Sequence, residues 1–200
     1  MTRKSPVALA FALTLASAPL AQAQTWNIDS AHSAAHFAVR HNMVSTVRGD
    51  MGAVSGTVTY DGKNLAAARV DATIDVTGID TRNEKRDAHL KTADFFDVEN
   101  HPTMTFTSKR IVPAADGSFQ IVGDLTMRGV TREVTLQAEP LRPAVAGRGG
   151  TQLTGTTATT KINRQDFGVK WNRMLDVGGV VVGDEVTITI DVELMLPAAK

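Results

Sequence analysis

Apolar and polar residues alternate along much of this 200-residue sequence, and this period of two residues constrains the fold more than any other feature. In residues 185–196 every second residue from Val186 to Leu196 is apolar, and the residues between them are mostly polar. Such segments predict eight strands, at residues 33–40, 48–60, 68–76, 103–112, 118–127, 130–139, 151–163 and 185–196, with a short lead-in strand at 26–28. One-sided strands joined mostly by short turns are typical of an antiparallel barrel or a sandwich. We therefore expect an all-β protein.

The longest connection between predicted strands, residues 77–102, has the features of a lid. A capping box that begins at Thr81 predicts a short helix over residues 82–91. Because this helix has almost no apolar stripe, it must lie on a surface and be held there by other residues. Phe95 and Phe96, between two acidic residues, are the predicted anchors. We interpret the segment as a helix-and-loop lid over one mouth of the β-structure.

The amino terminus has the pattern of a secretory signal peptide. Two basic residues precede an apolar run at 6–18 that is too short to span a membrane, and an Ala-Gln-Ala cleavage signal ends at Ala23. We expect residues 1–23 to be cleaved and residues 24–200 to form a single exported domain.

Composition excludes several functional classes. The chain contains no cysteine, which excludes disulfides, thiolate metal sites and cysteine nucleophiles, as well as the acylated cysteine of a lipoprotein. Lys and Arg number 21, as do Asp and Glu. A nucleic-acid-binding protein would normally show a basic excess, so we predict no nucleic-acid partner. The missing acylated cysteine leads us to expect a soluble exported protein.

The predicted inward faces contain several small residues, namely Ala35, Gly52, Gly56, Ala72, Gly123 and Ala138. An eight-stranded interior is filled by bulky side chains, whereas small ones leave room for a ligand. Strands of this length would enclose a lumen about 25 Å long. The alternative is that opposing large residues fill the space and that the lid is a plug.

Six short motifs follow one another along the chain. They are T-W-N-I-D-S-A-H-S at 25–33, F-A-V-R-H at 37–41, R-D-A-H-L-K-T-A-D-F-F-D at 86–97, H-P-T-M-T-F at 101–106, G-D-L-T-M-R-G-V-T at 123–131 and R-Q-D-F-G-V at 164–169. In this order they resemble the YceI-like polyisoprenoid-binding family. The resemblance implies an eight-stranded antiparallel lipocalin-like barrel, a periplasmic location, and a long isoprenoid lipid (a polyprenyl lipid or an isoprenoid quinone) held in the lumen without a cofactor. It also makes a homodimer plausible, and a transient membrane contact for loading is expected.

Twelve residues are the predicted contacts of such a lipid, in the lumen or at its mouth. They are Phe37, Val39, Val54, Val58, Ile74, Phe95, Phe96, Met104, Phe106, Leu125, Phe167 and Trp171. For each of the first eleven, core packing without ligand contact is the alternative interpretation. For Trp171 the alternative is that it anchors a loop.

Four charged residues near these aromatic residues have two interpretations. Arg86 and Asp87 on the lid, and Arg164 and Asp166 in the R-Q-D-F motif, either hydrogen-bond a lipid head group or form ion pairs that tie the lid to the barrel. The ion-pair interpretation is favoured, because half-buried charges need partners.

The histidines do not predict a metal site. His32 and His36 are about 13 Å apart on an extended strand, which is too far for both to bind one ion. Asp29, Ser30 and His32 are close in sequence, but a catalytic triad depends on convergent geometry and not on adjacency. No metal or catalytic residues are therefore predicted.

Binding of a lipid is the leading functional hypothesis, and two others stay open. One is an enzyme acting on a lipid or amide substrate, for which Asp87, His89, Asp94 and Arg164 are the residues to substitute. The other is a stress or interaction protein that docks a membrane redox partner or a second copy of itself.

Overall fold

The chain folds, in a computed structural model that describes residues 23–176 and 178–198, into antiparallel β-structure with one α-helix in the described part. Residues 1–22, which hold nearly all of the predicted signal peptide, lie outside the described residues. The cleavage and the single domain from residue 24 therefore stay predictions. The strands are β1 (Gln24–Ile28), β2 (Ala34–His41), β3 (Ser45–Asp50), β4 (Ala53–Tyr60), β5 (Arg69–Asp75), β6 (Thr103–Pro113), β7 (Phe119–Met127), β8 (Val130–Ala138), β9 (Val145–Ala146), β10 (Gln152–Asn163) and β11 (Val182–Leu196).

Eight of the strands close into a ring. Hydrogen-bonded neighbours follow the order β11, β1, β4, β5, β6, β7, β8 and β10, and β10 pairs again with β11. Every one of these pairs is antiparallel. The longest pairing runs from Gln152 opposite Leu196 to Asn163 opposite Glu185. The predicted all-β fold with eight antiparallel strands in a closed arrangement is confirmed.

The strands that close this ring differ from the prediction in one place. The lead-in strand β1 belongs to the ring, because it pairs with both β4 and β11. The predicted first strand, β2, lies beside β1 on the same edge of β11, where it pairs with Val186 to Asp191. β3 then pairs with the outer edge of β2. A three-residue segment is too short for its alternation to reveal that it has two partners.

The predicted strand at 48–60 is divided into β3 and β4 by Met51 and Gly52. Gly52 has φ +118°, and a Cβ there would lie 1.9 Å from the carbonyl oxygen of Asp75. Met51 N–H donates to Ala35 O at 2.8 Å, which ties the break to β2. The chain passes here from the hairpin into the ring, and its inward face shifts from Val47 and Met51 to Val54 and Val58. The predicted strand treated residues 48–60 as one continuous alternation and so missed this shift.

Small residues on the inner face have roles that the sequence did not predict. A Cβ on Gly123 would lie 2.6 Å from Cζ of Phe106, so the phenyl ring occupies the space above the glycine. Gly49 is covered in the same way by Phe37, at 2.8 Å from its Cε1. The expectation that small residues simply leave room for a ligand is therefore wrong at Gly123, where an aromatic ring fills the space.

Two joints of the ring are paired at only two positions each, the one between β1 and β11 and the one between β8 and β10. Only Ala138 opposite Ala158 and Gln137 opposite Thr159 are paired between β8 and β10. Nearer the lid, a side chain of β10 bonds to the backbone of β8: Thr160 Oγ1 donates to Thr135 O at 2.9 Å. A hydroxyl thus takes the place of the backbone donor that a regular ladder would supply.

Helix α1 (Glu84–Lys91) lies in the predicted lid, two residues shorter than expected. Asn83 is the N-cap, and its side chain accepts a hydrogen bond from Arg86 N–H. The predicted cap, Thr81, instead donates to Asp87 Oδ1 through both N–H and Oγ1, and Arg82 has φ +60°. Among the helices of the described residues, none combines the length and the apolar character that a membrane crossing requires.

The glycine at the β3–β4 break yields a stability prediction. Substituting Gly52→Ala should lower the free energy of unfolding by about 2 kcal/mol or more, because the methyl group collides with Asp75 O in a backbone conformation that favours glycine. Gly62→Ala is the matched control, with φ +80° but no atom within 4 Å of the new Cβ, and should cost only about 1 kcal/mol. Urea unfolding measures the free energy of unfolding of both variants. Equal losses in the two would contradict a collision at Gly52.

Candidate functional site

An apolar cavity of ≈ 120 Å³, here called the inner cavity, lies within the ring. All eight strands of the ring contribute to its walls, which include Val54, Val58, Ile74, Met104, Phe106 and Leu125, and Leu65, Ala68 and Leu141 of the connections also line it. Among the described residues, no charged side chain lines it. Tyr60 and three threonines are its polar members. The alternation of the strands produces this lining, since one face of each strand points inward.

A second cavity of ≈ 230 Å³, here called the lid cavity, lies beneath α1 and the loop that follows it. Ile188 lines both cavities, so the two are adjacent. The lid cavity has an apolar part and several basic or imidazole groups. The latter are Arg40, His41, Arg86, His89 and Arg164. The interior is therefore uncharged at one end and rich in hydrogen-bond donors at the other.

Thr81 fixes the start of the lid. It is buried, and it donates two hydrogen bonds to Asp87 while receiving two from Arg86, Nε to Oγ1 at 2.7 Å and Nη2 to the carbonyl oxygen at 2.9 Å. Desolvation raises the pKa of Asp87, but the hydrogen bonds from Thr81 outweigh it and leave that pKa below its ordinary value. Arg86 and Asp87 thus act as lid anchors through a shared threonine.

Phe95 anchors the other end of the lid. Its ring is buried and lies 4.9 Å from the imidazole of His89 and 5.3 Å from the indole of Trp171, centroid to centroid. His89 is also edge-on to Trp171 at 5.0 Å, and its Nε2 is 2.9 Å from Asp94 Oδ2. Such edge-to-face contacts are the favoured arrangement of aromatic rings. Phe96 is half-buried beside them and lines the lid cavity.

Arg128 ties the lid to the ring. It lies in the two-residue turn between β7 and β8, with φ +50°, and its Nη1 donates to Phe95 O at 3.2 Å and Gly168 O at 2.9 Å. The predicted strands at 118–127 and 130–139 leave Arg128 and Gly129 as a turn between them, but nothing in the sequence indicated that the arginine side chain would reach the lid.

Arg164 is the most buried charged group among the described residues, with 4% of its surface exposed. Its guanidinium donates to Asp184 Oδ1 at 3.3 Å and to four backbone oxygens, those of Val169, Trp171, Val182 and Gly183. Burial lowers the pKa of Arg164 and the charge of Asp184 raises it, and an arginine remains cationic under both influences. The ion pair expected for Arg164 is present, but with Asp184, which the sequence analysis did not single out.

The structure brings most of the twelve predicted contact residues to the two cavities. The inner cavity takes Val54, Val58, Ile74, Met104, Phe106 and Leu125, and the lid cavity takes Phe37, Val39, Phe95, Phe96 and Trp171. Phe167 lines neither; it is buried beside Thr135 and Thr160, where β8 and β10 diverge. Asp166 is exposed on the outer surface near Phe167 and lines neither cavity.

Sequence analysis missed Arg40 and His41 as lining residues. Both end the alternating run of β2, where the apolar pattern of Phe37 and Val39 stops. Both belong to the F-A-V-R-H motif at 37–41, at the end of a strand whose apolar residues face inward. That position could have indicated that they line a cavity.

One group of side chains has a spacing that a metal ion would accept. His32 Nδ1 is 2.8 Å from Asp29 Oδ2 and 3.8 Å from Glu193 Oε1, and the three residues lie near the surface, away from both cavities. The hydrogen bond to Asp29 also explains the geometry without an ion. The cluster therefore carries no metal assignment.

The profile of the family described as "YceI-like domain" matches residues 26–194. A curated relative, a UPF0312 protein of Staphylococcus aureus (strain MSSA476), is 34% identical over 171 residues, which cover 86% of this chain and 97% of that protein. Among solved structures, BcnA of Burkholderia cenocepacia is similar with a TM-score of 0.69 and 26% identity, covering 83% of this chain and 98% of that one. A polyisoprenoid binding domain from Saccharophagus degradans has the same fold, with a TM-score of 0.62 at 12% identity over 87% of this chain and 99% of that one.

Removing the Arg164 guanidinium tests its structural role. Arg164→Met should lower the free energy of unfolding by about 3–5 kcal/mol, because Asp184 and four carbonyl oxygens lose a buried donor. Lys161→Met is the control, since Lys161 forms an exposed ion pair with Glu185 at 2.9 Å and should cost about 0–1 kcal/mol. Chemical unfolding of the two variants should separate them clearly; a loss for Arg164→Met as small as that of the control would contradict this assignment.

The Asp29–His32 pair yields a prediction about pH. The hydrogen bond that the His32 ring donates to Asp29, followed by the charges of Asp29 and Glu193, raises the pKa of His32 above its ordinary value. Because the pKa is raised by folding, the pair stabilises the fold below the ordinary histidine pKa, and this contribution is lost as pH rises through the folded value. Titration of the His32 ring followed by NMR should give a raised pKa that falls towards the ordinary value in Asp29→Asn. An unchanged value in that variant would contradict the assignment.

Proposed function

Because the chain belongs to the YceI-like family, we propose that it is a binding protein for a long isoprenoid-type lipid, which it transports, stores or sequesters. The observation that carries the proposal is the pair of adjacent cavities, one uncharged and one rich in donors. This arrangement suits an amphiphile with an apolar tail and a polar head. A neighbour of the same fold is a polyisoprenoid binding domain, and a polyisoprenoid would supply the apolar tail.

The tail would occupy the inner cavity. A wall without charged side chains gains free energy by removing an apolar chain from water, at about 25 cal/mol per Å² of buried surface. Methyl-branched isoprene units suit a lining of Val, Ile, Leu, Met and Phe, because dispersion contacts are nondirectional. No catalytic group is needed for this binding.

A long chain requires the interior to widen. Apolar cavities of about 150 Å³ accept a guest the size of benzene, and the inner cavity is smaller still at ≈ 120 Å³. Phe106 lines the inner cavity and Phe37 the lid cavity, and each ring lies over a glycine. Rotation of either ring would therefore open space above that glycine. The lid would open during loading, so exchange of lipid should follow opening of the segment that holds Phe95.

The head group would lie in the lid cavity. Arg40, His41, Arg86 and His89 line it, and the N–H groups that their structural contacts leave over would serve as donors. Both a phosphate of a polyprenyl lipid and the carbonyl oxygens of a quinone accept hydrogen bonds from such groups. The two ligand types differ in charge, so the experiment below distinguishes them.

We propose binding without catalysis. Each of the four residues that an enzyme would use has an observed structural contact: Asp87 with Thr81, His89 with Asp94, and Arg164 with backbone oxygens and Asp184. These contacts give each residue a structural role in holding the lid or the mouth, so no catalytic role is needed to explain it. Export to the periplasm is part of the proposal and rests on the signal-peptide pattern.

Organic extraction of the protein purified from its native host, followed by mass spectrometry, tests the proposal. We expect an isoprenoid lipid in a near-equimolar amount, and its mass identifies a phosphate or a quinone head. If no lipid is extracted, and none is taken up on incubation with quinones or polyprenyl lipids, the proposal is wrong and the interaction-protein hypothesis gains weight.

Filling the inner cavity should block the tail. Ala72 lines it, and Ala72→Leu should weaken isoprenoid binding about tenfold, because the added carbons take the space of the guest. Thr73→Leu is the matched control, since Thr73 is the next residue of β5 and faces away from the cavity lining. Binding can be measured by quenching of Trp171 fluorescence. Equal affinities for the two variants would argue against a tail in the inner cavity.

A further inference from the structure

Three large apolar side chains are exposed together at the lid end of the ring. Met43, Val44 and Met174, here called the exposed tip, have 54%, 79% and 70% of their surface accessible. Met43 and Val44 form the turn of the β2–β3 hairpin, and Met174 belongs to the loop at residues 170–181. Apolar side chains of this size that cluster on a surface mark a contact with another apolar phase.

The hairpin turn and the loop are joined by direct contacts. Asn42 N–H donates to Val181 O at 2.8 Å, and a Cβ built on Gly179 would lie 3.2 Å from Cγ of Met43. Met174 forms a β-bridge with Val180 in the same loop. The exposed tip is therefore one continuous feature built from two distant parts of the chain.

The exposed tip lies on the rim of the lid cavity. Arg40 and His41, which precede the hairpin turn, line that cavity. Val181 and Val182, at the end of the loop and the start of β11, line it too. A surface that received the tip would thus face the rim of the cavity in which the head group is proposed to bind.

The charges around the tip are mostly basic. Residues 40–48 contain Arg40 and Arg48 and no acidic residue, while residues 170–181 contain Lys170, Arg173 and one acid, Asp176. All four basic residues are exposed, although the net charge of the whole chain is zero. Arg40 is held beside the tip, since Nη2 donates to Met43 O and Nη1 to Thr46 Oγ1. Asp184, the next acid along the chain, is bound by Arg164 and Gln165.

We propose that the exposed tip is a docking surface for an anionic lipid bilayer. Met43, Val44 and Met174 enter the boundary between head groups and acyl chains, and the surrounding basic residues contact lipid phosphates. Docking holds the lid cavity against the membrane, so that a lipid moves between bilayer and protein without crossing water. This inference rests on the proposed lipid-binding function and adds the route by which the ligand enters.

Vesicle binding tests the docking surface. The purified protein is mixed with phosphatidylcholine vesicles with and without phosphatidylglycerol, and the bound fraction is measured by sedimentation. We expect binding to the anionic vesicles that falls as salt is raised. Val44→Ser with Met174→Ser should weaken it about tenfold, because two apolar side chains no longer enter the bilayer.

The chain offers a matched control in Val112→Ser with Val145→Ser. Val112 and Val145 are also exposed, at 45% and 59%, but lie at the other end of the ring. This control should bind vesicles as the unmodified protein does. If the unmodified protein does not bind anionic vesicles, or if the two double variants bind them equally well, the proposed docking surface is wrong.

Two modes of ligand delivery separate this inference from the proposed function. Geranylgeraniol supplied in cyclodextrin should be taken up by the unmodified protein and by both double variants, whereas transfer from anionic vesicles should fail only for Val44→Ser with Met174→Ser. Uptake in cyclodextrin together with unimpaired vesicle transfer by that variant would overturn docking alone. Failure of uptake in both modes by the unmodified protein would overturn the proposed function.

Discussion

The burial of one guanidinium organises the lid end of the molecule. Taking the charge of Arg164 out of water is costly unless every N–H group finds an acceptor, and its acceptors come from two segments, around Val169 to Trp171 and around Val182 to Asp184. The arginine therefore fixes these irregular segments against each other. Trp171 is placed by this arrangement, and Trp171 in turn supports Phe95 and His89 of the lid.

The two ends of the interior are consequently built by different means. Strand pairing and apolar side chains surround the inner cavity, whereas the lid and the irregular segments over the lid cavity are held by side-chain hydrogen bonds from Arg86, Arg128 and Arg164. A sheet ladder opens cooperatively, but a lid held by a few side-chain contacts opens at lower cost. The proposed route for a ligand therefore passes through the less regular end, where the exposed tip also lies.

The period of two residues allowed most of the fold to be predicted, because it reports directly which face of a strand is buried. It placed β5 to β8, β10 and β11, and eight of the eleven candidate contacts that line the cavities lie on strands predicted in this way. Phe95, Phe96 and Trp171 were chosen instead from irregular segments. The break at Gly52, where φ is positive, was missed because the inward face shifts there by one residue, from Met51 to Val54, and the small residues between them hide the shift. The position of Phe106 over Gly123 depends on the register between β6 and β7, which no single strand encodes.

Partners of charged side chains were the least predictable feature. Arg164 binds Asp184, twenty positions away, and Asp166 within its own motif stays in solvent. Likewise Thr81 was predicted to cap α1, yet Asp87 accepts its hydrogen bonds and Asn83 caps the helix instead. Such choices depend on three-dimensional proximity and on which acceptors are already satisfied, and sequence spacing carries neither.

The sparse pairing between β8 and β10 gives the ring a compliant side. A wall with uniform ladders would resist any increase in its circumference, because each strand is fixed to both neighbours along its length. Here the lid half of β8 is joined to β10 by the Thr160 hydroxyl, so this half can swing outward while Ala138 and Ala158 act as a pivot. This side of the ring can thus widen to fit guests of different width.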